Sequence, residues 1–199
     1  MTKKYLFFII VSFTTVTLAA GKAKFPATEV IDFQLQTLPT QEKRGFCWVR
    51  SLAAKRADAW RCITNNVIYD PCFTSKVADT LVCNVDPADN KYGFLLRLQQ
   101  PLPQSTRLKG KKNDAWVIEL QDGLLCRPYT GTARIVNYKG KVIEVQYGCA
   151  SLGDELVGLL RGSIKPGKVW QAKQVVYKVI DAKKKVVTTK VVSIKRVWR

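Results

Sequence analysis

Apolar and polar residues alternate over short stretches along most of this chain, and turn residues separate the stretches. Alternation with a period of two is the pattern of a strand that has one buried face. Turn signals recur about every 8–12 residues, which is typical of a β-barrel or β-sandwich. The pattern predicts strands over residues 29–38, 47–52, 59–63, 67–69, 80–85 and 92–98, with a break at Asp70-Pro71 because proline lacks a donor.

Hairpins dominate the second half of the pattern. Asp122-Gly123 lies between apolar runs and predicts a hairpin over 115–120 and 124–129. A second hairpin is predicted over 133–137 and 141–147, turning at Lys139-Gly140. Residues 153–161 predict one short helix. Dense β-branched residues over 169–180 and 186–198 predict a long C-terminal hairpin that turns at 181–184. The predicted fold is therefore mostly β, a disulfide-stapled β-barrel or β-sandwich with one short helix and that hairpin.

The first residues predict export. Lys3 and Lys4 precede an apolar run that is too short to span a bilayer, and small residues follow at Ala19 and Ala20, which is the layout of a secretory signal peptide. We therefore predict a signal peptide over 1–20 and a single secreted domain over 21–199, periplasmic or extracellular. Its predicted parts are a disulfide-rich part over 45–90, β-hairpins over 91–150 and a basic hairpin over 161–199.

Export changes how the six cysteines are interpreted, since thiols pair in oxidising compartments. Six cysteines allow 15 pairings. Proximity along the chain favours Cys47–Cys62, Cys72–Cys83 and Cys126–Cys149. The alternative, a zinc site, lacks any Cys-x-x-Cys pair and any histidine, so no metal site is predicted.

The spacing of cysteine and tryptophan also carries a resemblance. Cys47-Trp48, Asp58-Ala59-Trp60-Arg61-Cys62 and Asp70-Pro71-Cys72-Phe73, with the later Tyr147-Gly148-Cys149, resemble a module of exported bacterial proteins of undefined function. The resemblance covers roughly residues 45–150. It implies a secreted bacterial location and no particular activity.

Candidate catalytic chemistry is limited. The absence of histidine removes Ser-His-Asp and Cys-His catalysis, and bridged cysteines leave no thiolate. A carboxylate pair is the remaining option, with candidates at Asp58, Asp70, Asp114, Glu119, Asp122 and Glu144. Because no motif places two of them together, we predict no catalytic residue, no cofactor and a non-enzymatic protein. A cell-wall or glycan hydrolase stays the alternative.

The tryptophans are predicted mainly to pack in the core. This applies to Trp48, Trp60 and Trp116, which flank cysteines or lie in apolar strands. Trp170 and Trp198 lie at the ends of the basic hairpin and could be exposed for sugar stacking or a membrane interface, although packing is favoured.

Positive charge is the strongest functional signal. The chain carries a formal charge of +18, and residues 161–199 hold twelve lysines and arginines against the single acid Asp181. Such density predicts attraction to an anionic surface. The predicted partner is an acidic lipid surface, such as phosphoinositides, or an acidic glycan. Sequence-specific nucleic-acid binding is not predicted, since no such motif occurs. An inhibitor-like module that fills an acidic protein cleft is a further alternative. The predicted binding residues are Lys173, Lys178, Lys183, Lys184, Lys185, Lys190, Lys195 and Arg196.

Overall fold

Fourteen β-strands and no helix make up the described part of the chain in a computed structural model. The structure describes residues 25–89, 93–104, 115–130, 135–138, 141–150, 158–180 and 183–199, and only the backbone over 135–138, 177–180 and 183–187. The strands are β1 (Glu29–Ile31), β2 (Glu42–Arg50), β3 (Ala59–Thr64), β4 (Val67–Thr74), β5 (Thr80–Cys83), β6 (Phe94–Leu98), β7 (Val117–Leu120), β8 (Leu125–Pro128), β9 (Ile135–Tyr138), β10 (Lys141–Glu144), β11 (Tyr147–Ala150), β12 (Gly158–Lys165), β13 (Gln171–Ile180) and β14 (Lys183–Trp198).

The strands β2 to β6 form a first, closed barrel. Consecutive strands pair in antiparallel fashion, and β6 returns to pair in parallel with β2, which closes the ring. Gly45 lies on β2 where the strand approaches β3 closely. A Cβ atom at this position would lie 2.2 Å from the carbonyl oxygen of Ile63. The barrel can therefore close only because residue 45 has no side chain.

A second ring contains β7, β8, β11, β12, β13 and β14. Its neighbours pair in antiparallel fashion, and the last strand, β14, pairs with the first, β7. β14 is long enough to pair with β13 along its first part and with both β7 and β1 near its end. The β9–β10 hairpin lies over this barrel, and Ile143 and Val145 pack with Leu159 and Val175 on its outer face.

Three disulfides, each joining two neighbouring strands, lie in the apolar cores of the two barrels. Their pairs are Cys47–Cys62, Cys72–Cys83 and Cys126–Cys149, the pairs that proximity along the chain favours. In each pair the two cysteines are directly opposite each other on antiparallel strands. The first two bridges lie in the core of the first barrel and the third in that of the second. Disulfides of this number are typical of proteins outside the reducing cytosol.

The two barrels share a third apolar core. Phe73 and Val82 from the first barrel pack with Trp116 and Trp198 from the second, with the Phe73 and Trp116 rings 4.9 Å apart, and Phe33 packs against both rings. The Phe33 ring is 5.2 Å from Phe73 and 5.1 Å from Trp116, centroid to centroid. Strand β5 is buried on both faces because it serves its own core and this shared core.

Arg56 joins the polar part of the same junction. Its guanidinium makes a two-point pair with Asp58, at 2.9 and 2.7 Å, and also donates to the carbonyl oxygens of Phe33 and Arg199. A second ion pair, Arg127 with Asp86, also links β8 to the loop after β5. The shared apolar core and the polar contacts of Arg56 and Arg127 therefore hold the two barrels together.

The mostly-β prediction is confirmed, and two local predictions are wrong. The predicted helix over 153–161 is a strand where it is described, since Gly158–Lys165 forms β12 between β11 and β13. Residues 153–157 of that prediction and the turn at Lys139-Gly140 lie outside the described residues. The strand that was predicted to break at Asp70-Pro71 continues to Thr74, with a cis peptide bond before Pro71.

Candidate anion-binding surface

The candidate site lies on β12, β13 and β14, which are neighbours in the second barrel. Their register places Arg161 directly opposite Lys173, and Lys173 directly opposite Val191. Directly opposed residues of an antiparallel pair lie on the same side of the sheet. Lys173 and Val191 are exposed and Arg161 is half-buried, so this row forms part of the outer surface. Two like charges are thus held side by side on adjacent strands.

Five cations on and beside these strands lack an acidic partner in the described part of the chain. They are Arg161, Lys165, Lys168, Lys173 and Lys190. Elsewhere the pattern is mixed within the described residues: Arg56, Arg97, Arg127 and Arg199 each form an ion pair. Arg44, Lys76 and Lys141 are exposed and form none there. What distinguishes β12–β14 is that the described residues 158–180 and 183–199 contain those five cations and no acid at all.

The far end of the β13–β14 hairpin adds further lysines at defined register positions. Lys178 pairs with Lys185, Val179 with Lys184 and Ile180 with Lys183. These positions are described by their backbone alone. The register therefore adds a second cross-strand pair of cations, Lys178 with Lys185, to the Arg161–Lys173 pair. Lys190 lies opposite the buried Gln174, and so on the other side of the sheet from the Arg161–Lys173 row, although Lys190 itself is exposed. We call the nine cationic positions on and beside these strands, on both sides of the sheet, the basic surface: Arg161, Lys165, Lys168, Lys173, Lys178, Lys183, Lys184, Lys185 and Lys190.

Two of the predicted binding residues have another role. Lys195 and Arg196 both contact the carboxylate of Glu119, at 2.8 and 2.5 Å. A register shift between Ile194 and Arg196 lets these consecutive residues oppose Glu119 on β7. They neutralise a buried acid at the seam that closes the second barrel. The basic surface therefore excludes them.

The pKa of Glu119 reflects this arrangement. Burial acts to raise the pKa of Glu119, but the hydrogen bonds and positive charges of Arg196 and Lys195 outweigh burial and hold it below its usual value. The carboxylate therefore stays ionised at neutral pH and keeps both cations in place.

Three of the acids that were candidates for a hydrolase carboxylate pair make contacts that support turns and loops. Asp58 pairs with Arg56, and Asp70 accepts hydrogen bonds from the Ser51 hydroxyl and the Leu52 backbone. Asp122 accepts from the Leu124 backbone in a hairpin turn. These contacts account for the acids as turn and loop supports. Glu144 is exposed on β10, and Asp114 lies outside the described residues.

The one group of potential metal ligands is made of bridged cysteines. In the described chain, the sulfur atoms of Cys62, Cys72 and Cys83 lie within 4.8 Å of one another. Each of these sulfur atoms belongs to a disulfide, and a metal needs a thiolate. The close approach reflects the packing of two bridges in one core.

The tryptophans follow the packing prediction with one exception. Trp60, Trp116, Trp170 and Trp198 are 3%, 3%, 7% and 5% exposed. Trp48 is 41% exposed, so the prediction that it packs in the core is wrong. Cys47 faces the core, and alternation along β2 directs the next residue outward. That alternation was the sequence signal that could have identified the exposed ring.

No protein-family model, curated protein or solved structure matches this chain. The resemblance in cysteine and tryptophan spacing therefore stays a prediction. No helix in the described ranges is long and apolar enough to cross a membrane.

Proposed function

We propose that this is a secreted, non-enzymatic protein that binds an anionic partner through the basic surface. The partner is an acidic lipid surface, such as one containing phosphoinositides, or an acidic polysaccharide. The observation that carries the proposal is the row in which Arg161 and Lys173 oppose each other without an acidic partner among the described residues. Three disulfides support the exported location.

Like charges that are held close together on neighbouring strands repel each other. Two cations directly opposite each other on adjacent strands destabilise the sheet, and the β13–β14 register repeats this at Lys178 and Lys185. An anion that bridges the strands turns this repulsion into attraction. Each lysine close to an acidic membrane contributes about 1 kcal/mol to binding.

A purely structural explanation exists for part of this charge. Lysines on a long hairpin discourage pairing with other strands and so prevent aggregation. That explanation suits Lys183, Lys184 and Lys185 at the hairpin end. It does not explain Arg161 and Lys173, because β12 and β13 are central strands of the ring with partners on both sides.

Charge reversal tests the proposal. We expect Lys173→Glu to weaken binding to heparin or to vesicles containing phosphoinositides roughly tenfold at low salt, since one attraction is lost and one repulsion gained. Replacing Lys183, Lys184 and Lys185 together by glutamate should weaken it further. Binding can be measured by vesicle co-sedimentation and by heparin titration.

Lys76→Glu is the matched control. Lys76 is an exposed lysine between β4 and β5 of the first barrel, and its reversal changes the net charge by the same amount. If net charge alone governed binding, Lys173→Glu and Lys76→Glu would lose the same affinity. Equal losses would show that the basic surface is not the binding site. Wild-type affinity in both Lys173→Glu and the triple variant would refute the proposal.

A further inference from the structure

The first barrel carries an exposed apolar face that its own fold does not need. Phe46 on β2 is opposite Ile63 on β3, and Ile63 is opposite Ile68 on β4. This register puts the three residues in one row across the outer side of the barrel. Phe46 is 38% exposed and Ile68 50%, while Trp48, 6.5 Å from Phe46 between ring centroids, is 41% exposed. We call Phe46, Trp48, Ile63 and Ile68 the aromatic face.

Two local features fix this face in place. The register shifts between Cys47 and Val49, so Trp48 is the extra residue of a β-bulge, a device that redirects side chains. Asn65 and Asn66 form a two-residue hairpin turn with positive φ at both positions, and this turn carries Val67 and Ile68 into solvent. The face is thus held by backbone structure and by the Cys47–Cys62 bridge beneath it.

The surroundings of the aromatic face are cationic. Arg44 on the same strand is exposed, and no acid pairs with it within the described residues. The guanidinium of Arg61 lies 5.8 Å from the centre of the Trp48 ring, although its charge is paired with the buried carboxylate of Asp70 at 3.5 Å, so Arg44 is the uncompensated cation of this border. Glu42, the acid on the outer side of β2, is already paired with Arg97. An apolar row with a cationic border suits a partner that has an apolar interior and an anionic surface.

We propose that the aromatic face inserts into the interfacial region of an anionic lipid membrane. Tryptophan is favoured at this depth because its ring is amphipathic, and Phe46, Ile63 and Ile68 add purely apolar area that a sugar ring would not require. The inference deepens the proposed function, because it selects acidic lipid over acidic polysaccharide as the anionic partner. It does not require the basic surface to lie on the same plane.

The tryptophan content makes this testable directly. The other four tryptophans are buried, so Trp48 alone can report contact with lipid. We expect vesicles of phosphatidylcholine and phosphatidylglycerol with brominated acyl chains to quench part of the tryptophan emission. This quenching should disappear in Trp48→Phe and should be absent with vesicles of phosphatidylcholine alone.

A second variant measures the energetic role of the face. Phe46→Ser/Ile68→Ser removes two exposed apolar side chains and should lower the partition coefficient for anionic vesicles roughly tenfold. Val142→Ser is the control, since Val142 is 70% exposed but lies on β10, in the separate β9–β10 hairpin over the second barrel. It should bind as the wild type does.

The outcomes separate this inference from the proposed function. Salt-sensitive vesicle binding without quenching of Trp48, and unchanged in Phe46→Ser/Ile68→Ser, would overturn the inference and leave the basic surface standing. Binding to heparin but not to anionic vesicles would do the same. Loss of self-association by the double variant in sedimentation would show the face to be a contact between copies of this chain and would also overturn it. Binding to neither ligand would refute both proposals.

Discussion

The ion cluster at Glu119 gives the most quantitative test of how this fold manages its charge. Glu119→Gln keeps the shape of the side chain and removes the charge that holds Lys195 and Arg196 at the seam of the second barrel. Lys195 and Arg196 donate to different oxygens of the carboxylate, so the glutamine amide keeps its oxygen for one of them and turns its NH₂ group toward the other. The variant therefore tests whether these cations stabilise the fold, as distinct from binding a ligand.

The magnitude follows from the exposure of the three groups. Hydrogen bonds to charged groups contribute about 1.5–3 kcal/mol each when protected from water. Glu119 is 9% exposed, but Lys195 and Arg196 are 47% and 37% exposed, so solvent screens the pair and the lower end applies. Some of the loss is offset because burying glutamine costs less than burying a carboxylate. We expect a net loss of about 2 kcal/mol, or roughly 4–8 °C in Tm.

The stability that Glu119 contributes should depend on pH in a direction that a packing defect in the variant would not reproduce. Because the pKa of Glu119 is lowered in the folded protein, its contribution is fully present above the unfolded pKa of about 4.3. It is lost as the pH falls through the lower, folded pKa. The stability difference between wild type and Glu119→Gln should therefore be largest near neutral pH and should vanish in strong acid.

Urea unfolding followed by circular dichroism, repeated from neutral to acidic pH, measures both quantities. Glu144→Gln is the control, because Glu144 is an exposed glutamate on β10. A Glu119→Gln variant as stable as Glu144→Gln at neutral pH, or a difference that persists unchanged in acid, would refute the reasoning.

Two further predictions concern the architecture, and both can be read from thermal or urea unfolding. Gly45→Ala should destabilise the protein by about 1–3 kcal/mol, because its Cβ would meet the Ile63 carbonyl oxygen at 2.2 Å, whereas Gly167→Ala, with its nearest neighbour at 3.6 Å, should be nearly neutral. Equal stability of the two variants would contradict the close approach of β2 and β3. Arg56→Lys should cost about 2 kcal/mol, since lysine cannot make the two-point pair with Asp58 while also donating to two carbonyl groups. A change below about 0.5 kcal/mol would show that the apolar core alone joins the barrels.

Local patterns predicted the strands and their bridges well, because their causes are local. Each disulfide joins cysteines on antiparallel strands that follow closely along the chain, so proximity alone favours the right pairs. Asp122-Gly123 marks its hairpin for the same reason: Gly123 adopts positive φ, which glycine does at little cost.

The failures come from tertiary context. Leu159 and Leu160 fit a helical pattern, but in β12 they serve two different cores, one on each side of the strand. A strand that is buried on both faces has no alternation to reveal it. Trp48 was assigned to the core because it adjoins Cys47, although adjacent residues of a strand face opposite sides.

The density of charged residues along the sequence predicted only part of the candidate site. Charge density identified β13 and β14, but the register distinguishes Lys173, which has no acidic partner among the described residues, from Lys195 and Arg196, which are bound to Glu119. Arg161 on β12 joins the site through cross-strand pairing. Its position opposite Lys173 cannot be recognised without the strand order.

The salt dependence of heparin binding tests the central claim most directly. If Arg161 and Lys173 contact the anion, the slope of log K against log salt for Arg161→Gln/Lys173→Gln should be shallower than that of wild type by roughly one for each cation removed. The same slope and the same affinity in both proteins would contradict the account.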